Sequence, residues 1–315
     1  MQAVVSLLLV LLIGGVFNAD DTFFKWDTHR DMLRQVSVYG ILACGMTIVI
    51  ISGGIDLSVG SVMALSAVTF SIVSIHLGWS GPSALALTLL AGSVCGMISG
   101  GVIARFRIQP FIATLAMMVF ARGVSKLISG GQKISTAVQQ SDGSYQYVET
   151  PSSFEILNAR ILGENLATVT LILIVSVLLC SMFLSRTLWG RRLYAIGGNE
   201  EAAWYAGIPV NGSKILAYGL SGLFCAVAGV CQAAQELQGD PEAGVTYELS
   251  AIAMVVIGGT NLRGGQGTIG LTVLGILIIG YLEKILSINA VGEETRLILT
   301  GLIIVLATLF QAGKR

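Results

Sequence analysis

The sequence predicts an all-α fold, a polytopic transmembrane helical bundle of about ten spans, with broken helices near 52–60 and 258–267. Three observations carry that expectation. Hydrophobic residues make up 54% of the 315 and charged residues 11%, against about 25% charged in a soluble domain, and the mean hydropathy is +0.81. Apolar runs of near-spanning length recur along the chain, separated by charged or turn-rich segments. Two of the junctions between runs carry glycine pairs that weaken a helix where it lies in lipid.

The runs fall near residues 1–17, 36–53, 57–77, 83–104, 110–128, 165–185, 213–235, 248–260, 267–283 and 296–312, each near the ~20 residues that cross a bilayer. Little remains for a soluble domain, so residues 1–315 read as one integral domain. The first run lacks a basic lead-in and ends at Phe17-Asn18-Ala19, a poor cleavage site, and reads as a span rather than a signal peptide.

Several function classes are set aside. Net charge is zero and no basic patch with interleaved aromatics occurs, which excludes a nucleic-acid partner. The cysteines (Cys44, Cys95, Cys180, Cys225, Cys231) sit in apolar runs without a CxxC pair, and His29 and His76 are far apart, so neither a metal site nor a disulfide framework is expected. No GxxxxGK[ST], GxSxG or HExxH occurs, so no catalytic residue is assigned and no cofactor is expected. If ATP drives this protein, another subunit must hydrolyse it.

Asp56 is the only Asp, Glu, Lys or Arg between Val36 and Ala104. A carboxylate at membrane depth costs several kcal/mol unless paired, capped or wetted, so it needs a structural or functional reason. It lies in Ile51-Ser-Gly-Gly-Ile-Asp-Leu-Ser-Val-Gly-Ser61, where Gly53, Gly54 and Gly60 interrupt the helix. One reading has Asp56 capping a half-helix that begins near Leu57, with Ser52, Ser58 and Ser61 sharing the task; the other has it touching a solute. Broken helices are tolerated only where the freed backbone is buried or lines a wet cavity. A pathway through the membrane is the implied subject.

The segment Val256–Gly267, VIGGTNLRGGQG, echoes Ile51–Gly60: Gly258 and Gly259 match Gly53 and Gly54, and Asn261 matches Asp56. Corresponding broken helices in two halves frame the substrate path of many transporters. The formal fingerprint Gly265-x-Gly267-x-x-Gly270 has no βαβ unit around it and is discounted. Gly92, Gly96 and Gly100, four apart, read as a helix-packing stripe.

Basic residues orient the chain. The Arg105-Phe106-Arg107 turn and the Arg186, Arg191, Arg192 cluster favour the same side, which the positive-inside rule makes cytoplasmic, with both termini on that side. The segment 129–165 is then an external loop, either a variable surface or a docking surface. The segment 186–213 is a cytoplasmic loop. In it Asn199 is a good N-cap, Glu200 and Glu201 suit the positive end of a helix dipole, and Gly207 with Pro209 stops the helix. A helix that short is not stable alone, so either the membrane surface or a partner groove must hold its compact face of Ala202, Ala203, Trp204 and Tyr205. Arg122, deep in the fifth span, reads as snorkelling or pairing within the bundle, and Tyr247 with Glu248 opens the eighth span from outside.

Taken together, certain motifs resemble one family. They are Gly45-Met-Thr-Ile-Val49 leading into GGIDLSVGS, QPFIATLAMM (109–118) with Arg122-Gly123, GRRLYAIGGNEEAA (190–203) with Gly207-Ile-Pro-Val-Asn211, and YELSAIAMVVIGGTNLRGGQGT (247–268). The chain is similar to the permease subunit of bacterial ABC importers for simple sugars, the ribose-type branch above all. That resemblance implies a protein of the inner membrane that works as a dimer, with ATPase subunits on the cytoplasmic side and a periplasmic or extracellular sugar-binding protein outside. It makes Gly198, Asn199, Glu200, Glu201, Ala202, Ala203 and Gly207 the coupling helix that inserts into the ATPase, and Gly53, Gly54, Asp56, Ser58, Gly258, Gly259 and Asn261 the broken helices of the translocation path. Where the family commonly has an Arg and small polar residues after Glu-Ala-Ala, this chain has Trp204, Tyr205 and Ala206. The expected function is ATP-driven monosaccharide import by alternating access; the alternative is an ion-coupled secondary transporter or channel with Asp56 as its ion site.

Overall fold

In the computed structural model, residues 2–139, 144–292, 294–296, 298–299 and 301–302 are described. The chain opens with α1 (Gln2–Val16), a 3-10 turn, and α2 (Trp26–Ile51). Every residue from Ile41 to Ser52 is buried; a helix apolar all round belongs inside a bundle, and α2 is a central helix. Seven residues without helix follow, and then α3 (Val59–Ser71) runs on through a π-helical turn to His76. Next come α4 (Gly81–Phe106) and α5 (Pro110–Ser129), each opened by a proline in its first turn, where the missing amide costs nothing.

Two small hairpins, β1 (Ala137–Gln139) with β2 (Tyr145–Tyr147) and β3 (Arg160–Ile161) with β4 (Leu166–Ala167), enclose α6 (Ser152–Asn158). The chain then continues as α7 (Thr168–Arg186), α8 (Leu188–Gly198), α9 (Glu200–Tyr205), α10 (Val210–Glu236), α11 (Tyr247–Gly258) and α12 (Ile269–Ile288). Among the described residues seven helices are long and apolar enough to cross a membrane, and α1 and α11 are shorter apolar helices. The chain is a polytopic helical bundle. Most of the expected span at 296–312 lies outside the described residues.

Both expected breaks lack helix, at 52–58 and at 259–268. α2, however, starts ten residues before the expected run. Its first turns carry charges that the segment 129–165 answers: Arg160 meets Asp31 at 2.7 Å and Arg34 donates to the Asn158 side chain at 2.6 Å. The segment 129–165 is likewise more than a loose loop. Phe154 is fully buried and stacks on Phe70 at 5.0 Å, Ile134 pairs with Gly239, and Lys133 meets Asp240 at 2.9 Å. That carboxylate holds the Lys133 ammonium above its usual range by hydrogen bonding to it.

A third interruption had no warning in the hydropathy pattern. After α10, residues 237–246 turn back into the bundle: Gly239 lies against Ala67 and Ser71, while Gly244 lies against Gly60 and Met63. From Ser71 to Gly60 is roughly 16 Å along a helix, so α11 begins at depth rather than at the outer surface. The polar composition of Gln238-Gly-Asp-Pro-Glu-Ala-Gly244 reads as an ordinary surface turn, in line with the expectation that Tyr247 and Glu248 open a span from outside.

Small residues set the packing. Lipid gives helices no hydrophobic reason to associate, so close backbone approach supplies the attraction. A Cβ on Gly96 would overlap the Tyr218 carbonyl, one on Gly92 the Gly222 carbonyl, and one on Gly100 the backbone of Ile215; α4 and α10 are seamed along these glycines. α11 and α12 are seamed likewise, Gly275 on the Met254 carbonyl and Gly258 on that of Leu271. α2 touches both pairs, Gly45 against Ser221 of α10 and Thr47 sharing a 2.7 Å hydroxyl contact with Thr272 of α12. Gly96→Ala should therefore lower the melting midpoint of the detergent-solubilised protein by the equivalent of about 1–3 kcal/mol. Gly101→Ala, whose added Cβ meets nothing, should leave it unchanged; the fraction still monodisperse after graded heating reads both.

Candidate functional site

The first break is built around Asp56, which is 1% exposed. Its Oδ1 accepts the Ser58 amide at 3.0 Å and the Ser58 hydroxyl at 2.6 Å, and its Oδ2 accepts the Ser221 hydroxyl at 2.8 Å. α3 begins at Val59, two residues beyond the expected start, and the carboxylate closes the turn before it. Ser52 does not join in, because its hydroxyl returns to the Val49 carbonyl at 2.7 Å. Ser221, on α10, is the partner the sequence did not reveal. Gly53 (φ +83) takes a left-handed conformation that a side chain would strain, and Gly54 packs on the Tyr218 ring, with no room for a Cβ.

The second break repeats part of this. Asn261 Oδ1 accepts the Arg263 amide at 3.0 Å, the same two-residue reach that Asp56 makes to Ser58. Here Gly259 (φ +114) rather than Gly258 is left-handed, because Gly258 is held in the α11–α12 seam. Among the described residues no Asn261 side-chain bond crosses to another helix as the Asp56 bond to Ser221 does. The two breaks meet: the Gly265 amide donates to the Ile51 carbonyl at 2.9 Å.

Arg122 on α5 donates to the Pro241 carbonyl at 2.5 Å and the Ala243 carbonyl at 2.8 Å. It pairs within the bundle and satisfies the freed backbone of the re-entrant 237–246 segment. Asp240, Glu242 and Glu248 lie close enough for their charges to act on it.

At the end of the bundle shared by both breaks lies the capped helix. Asn199 is extended (φ −161) and its Oδ1 accepts the Ala202 amide at 2.9 Å. Ala203 is buried with Ile196, Ile208 and Val210, and Lys214 meets Glu200 at 2.7 Å, so the chain itself holds the inner face of α9. The outer face is left open, with Trp204 60% and Tyr205 74% exposed. A cavity of about 830 Å³ opens between α9 and the α4–α5 turn, bordered by Arg105, Arg107, Gln109, Glu200, Trp204 and Lys214. At the opposite end a recess of about 420 Å³ is lined by polar residues, among them Asp31, Arg34, Arg160, Gln232 and Glu236.

Residues 30–308 match the family described as branched-chain amino acid transport system / permease component. The chain belongs to this permease family. The permease is 38% identical to the ribose import permease protein RbsC of Escherichia coli K12 over 98% of this chain and 92% of that one. It is 38% identical to RbsC of Bacillus subtilis, over 98% and 91%, and 31% identical to the xylose transport system permease protein XylH of E. coli K12, over 99% and 91%. No solved structure matches it. The permease is accordingly a multi-pass membrane component of a transport system and not an enzyme.

The arrangement around Asp56 yields a direct test. Asp56→Ala would leave three donors without an acceptor, at about 1–3 kcal/mol for each group left buried and unpaired. Asp56→Asn retains an acceptor for Ser58 and should melt closer to the wild type than Asp56→Ala does, as read by thermal unfolding in detergent.

Proposed function

We propose that the permease is the membrane subunit of an ATP-driven ABC importer for a monosaccharide, ribose or a related simple sugar, working by alternating access. The observation that carries this reading is the near full-length similarity to permeases named for ribose and for xylose import. In this reading Gly198 to Gly207 form the coupling helix. Separate ATPase subunits dock on Glu201, Trp204 and Tyr205, and a sugar-binding protein delivers solute to the polar outer end. A second copy of the permease completes the path, and ATP is spent by the partner, with no cofactor on this chain.

Orientation follows the charges. Arg105, Arg107, Arg186, Arg191, Arg192, Lys214 and Arg263 sit in or beside the segments at the α9 end, which supports that end, and both termini, as cytoplasmic. The breaks at Gly53, Gly54, Asp56, Ser58 and at Gly258, Gly259, Asn261 frame the path in this reading. The ion-coupled alternative is less well supported, since both oxygens of Asp56 already receive hydrogen bonds from the protein.

Gentle detergent extraction of the tagged permease from its native membranes tests the proposal. A P-loop ATPase with vanadate-sensitive hydrolysis should co-purify, and Glu201→Ala combined with Trp204→Ala should cut its recovery at least fivefold while the permease remains in the membrane. If the chain emerges alone under conditions that preserve other complexes, and uptake responds to an ionophore but not to ATP depletion, the importer reading falls.

A further inference from the structure

Three segments distant in sequence meet at one point near the cytoplasmic end, and they meet through glycines. A Cβ on Gly197, the penultimate residue of α8, would overlap the Ile51 carbonyl and stand 2.5 Å from the Gly265 amide. One on Gly264 would lie 2.8 Å from the Gly53 Cα and 2.9 Å from the Gly197 Cα, and one on Gly265 would lie 2.8 Å from the Gly198 Cα. Gly53, Gly264 and Gly265 all have positive φ, so their backbone shape also favours glycine. Two bonds fasten the junction. The Gly265 amide donates to the Ile51 carbonyl at 2.9 Å, and the Tyr194 hydroxyl of α8 donates to the Gly267 carbonyl at 2.8 Å.

We infer that this junction transmits displacement of α9 to both broken helix pairs, with Gly197, Gly264 and Tyr194 as positioning residues. The inference rests on the coupling-helix reading of α9. α9 is joined to α8 by the single extended residue Asn199 and by the buried cluster of Ile196, Ala203 and Val210, so α8 follows α9. At the far end of that link Gly197 and Gly198 of α8 press on backbone, and the Tyr194 hydroxyl adds one bond to a backbone carbonyl. A side-chain contact absorbs a small shift by changing rotamer; backbone pressed on backbone has no such slack, and packed contacts switch between discrete arrangements rather than yielding gradually. The end of α2 and the 259–268 loop are also bonded to each other, so one push reaches both breaks together.

Hydrogen exchange read by mass spectrometry on the purified permease–ATPase complex, with and without ATP plus vanadate, tests this. In the wild type, exchange at 199–207, 51–60 and 259–268 should change together. In Gly197→Ala and Tyr194→Phe the change at 199–207 should persist while the changes at the two breaks fall by at least half. Gly270→Ala, whose added Cβ meets only an ordinary contact at 3.9 Å, should keep the wild-type pattern. Tyr194→Phe removes one hydroxyl and carries the test if Gly197→Ala does not fold. Full responses at both breaks in the variants overturn the inference, as does a wild type whose breaks stay silent while 199–207 responds. A wild type in which 199–207 itself stays silent removes the coupling-helix reading first, and the inference with it.

Discussion

Unwinding a helix at membrane depth frees amides and carbonyls that lipid cannot satisfy, and the protein must answer each from within. Among the described residues this permease unwinds three times, at 52–58, 237–246 and 259–268, and each time it answers differently. At the first, a buried carboxylate takes two bonds from Ser58 and one from Ser221 of α10. At the second, the guanidinium of Arg122 reaches across from α5 to two carbonyls. At the third, Asn261 closes its own turn and the neighbouring break accepts a backbone bond from Gly265. An intramembrane charge is costly, and two of the deep charges, Asp56 and Arg122, hold unwound backbone in place.

The same positions explain why glycine is so frequent here. Where helices cross tightly, as α4 on α10 or α11 on α12, glycine removes the side chain that would hold the backbones apart. At Gly53, Gly259, Gly264 and Gly265 it also supplies a left-handed conformation. Both uses converge at the α9 end of the bundle, where the interruptions come within reach of the capped helix.

Much of this was legible in the sequence because membrane proteins write their spans as composition. The runs, the two glycine-marked breaks and the capping of the 199–207 segment follow from hydropathy, propensity and cap chemistry. What stayed hidden depended on partners far along the chain. Ser221 is an unremarkable serine in an apolar run, and nothing near it points to Asp56. The re-entrant 237–246 segment looks like a surface turn, because its membrane depth comes from packing on α3 and from Arg122, more than a hundred residues earlier. The early start of α2 was obscured because Asp31 and Arg34 read as loop charges until Arg160 and Asn158 stand opposite them. Gly264 and Gly265 could be seen as breakers, but their contact with Gly197 is purely tertiary.

The two glycine seams divide the bundle mechanically. α4 and α10 are zipped backbone to backbone, and so are α11 and α12, so neither pair shears internally without losing contact along its length. Each moves as a plank. α2 lies between the planks, touching one through Gly45 and Ser221 and the other through Thr47 and Thr272, and its C-terminal end is where the chain unwinds. Any displacement of one plank against the other then concentrates its bending in α2 and its break, so the residues beside Asp56 serve as the axle between them.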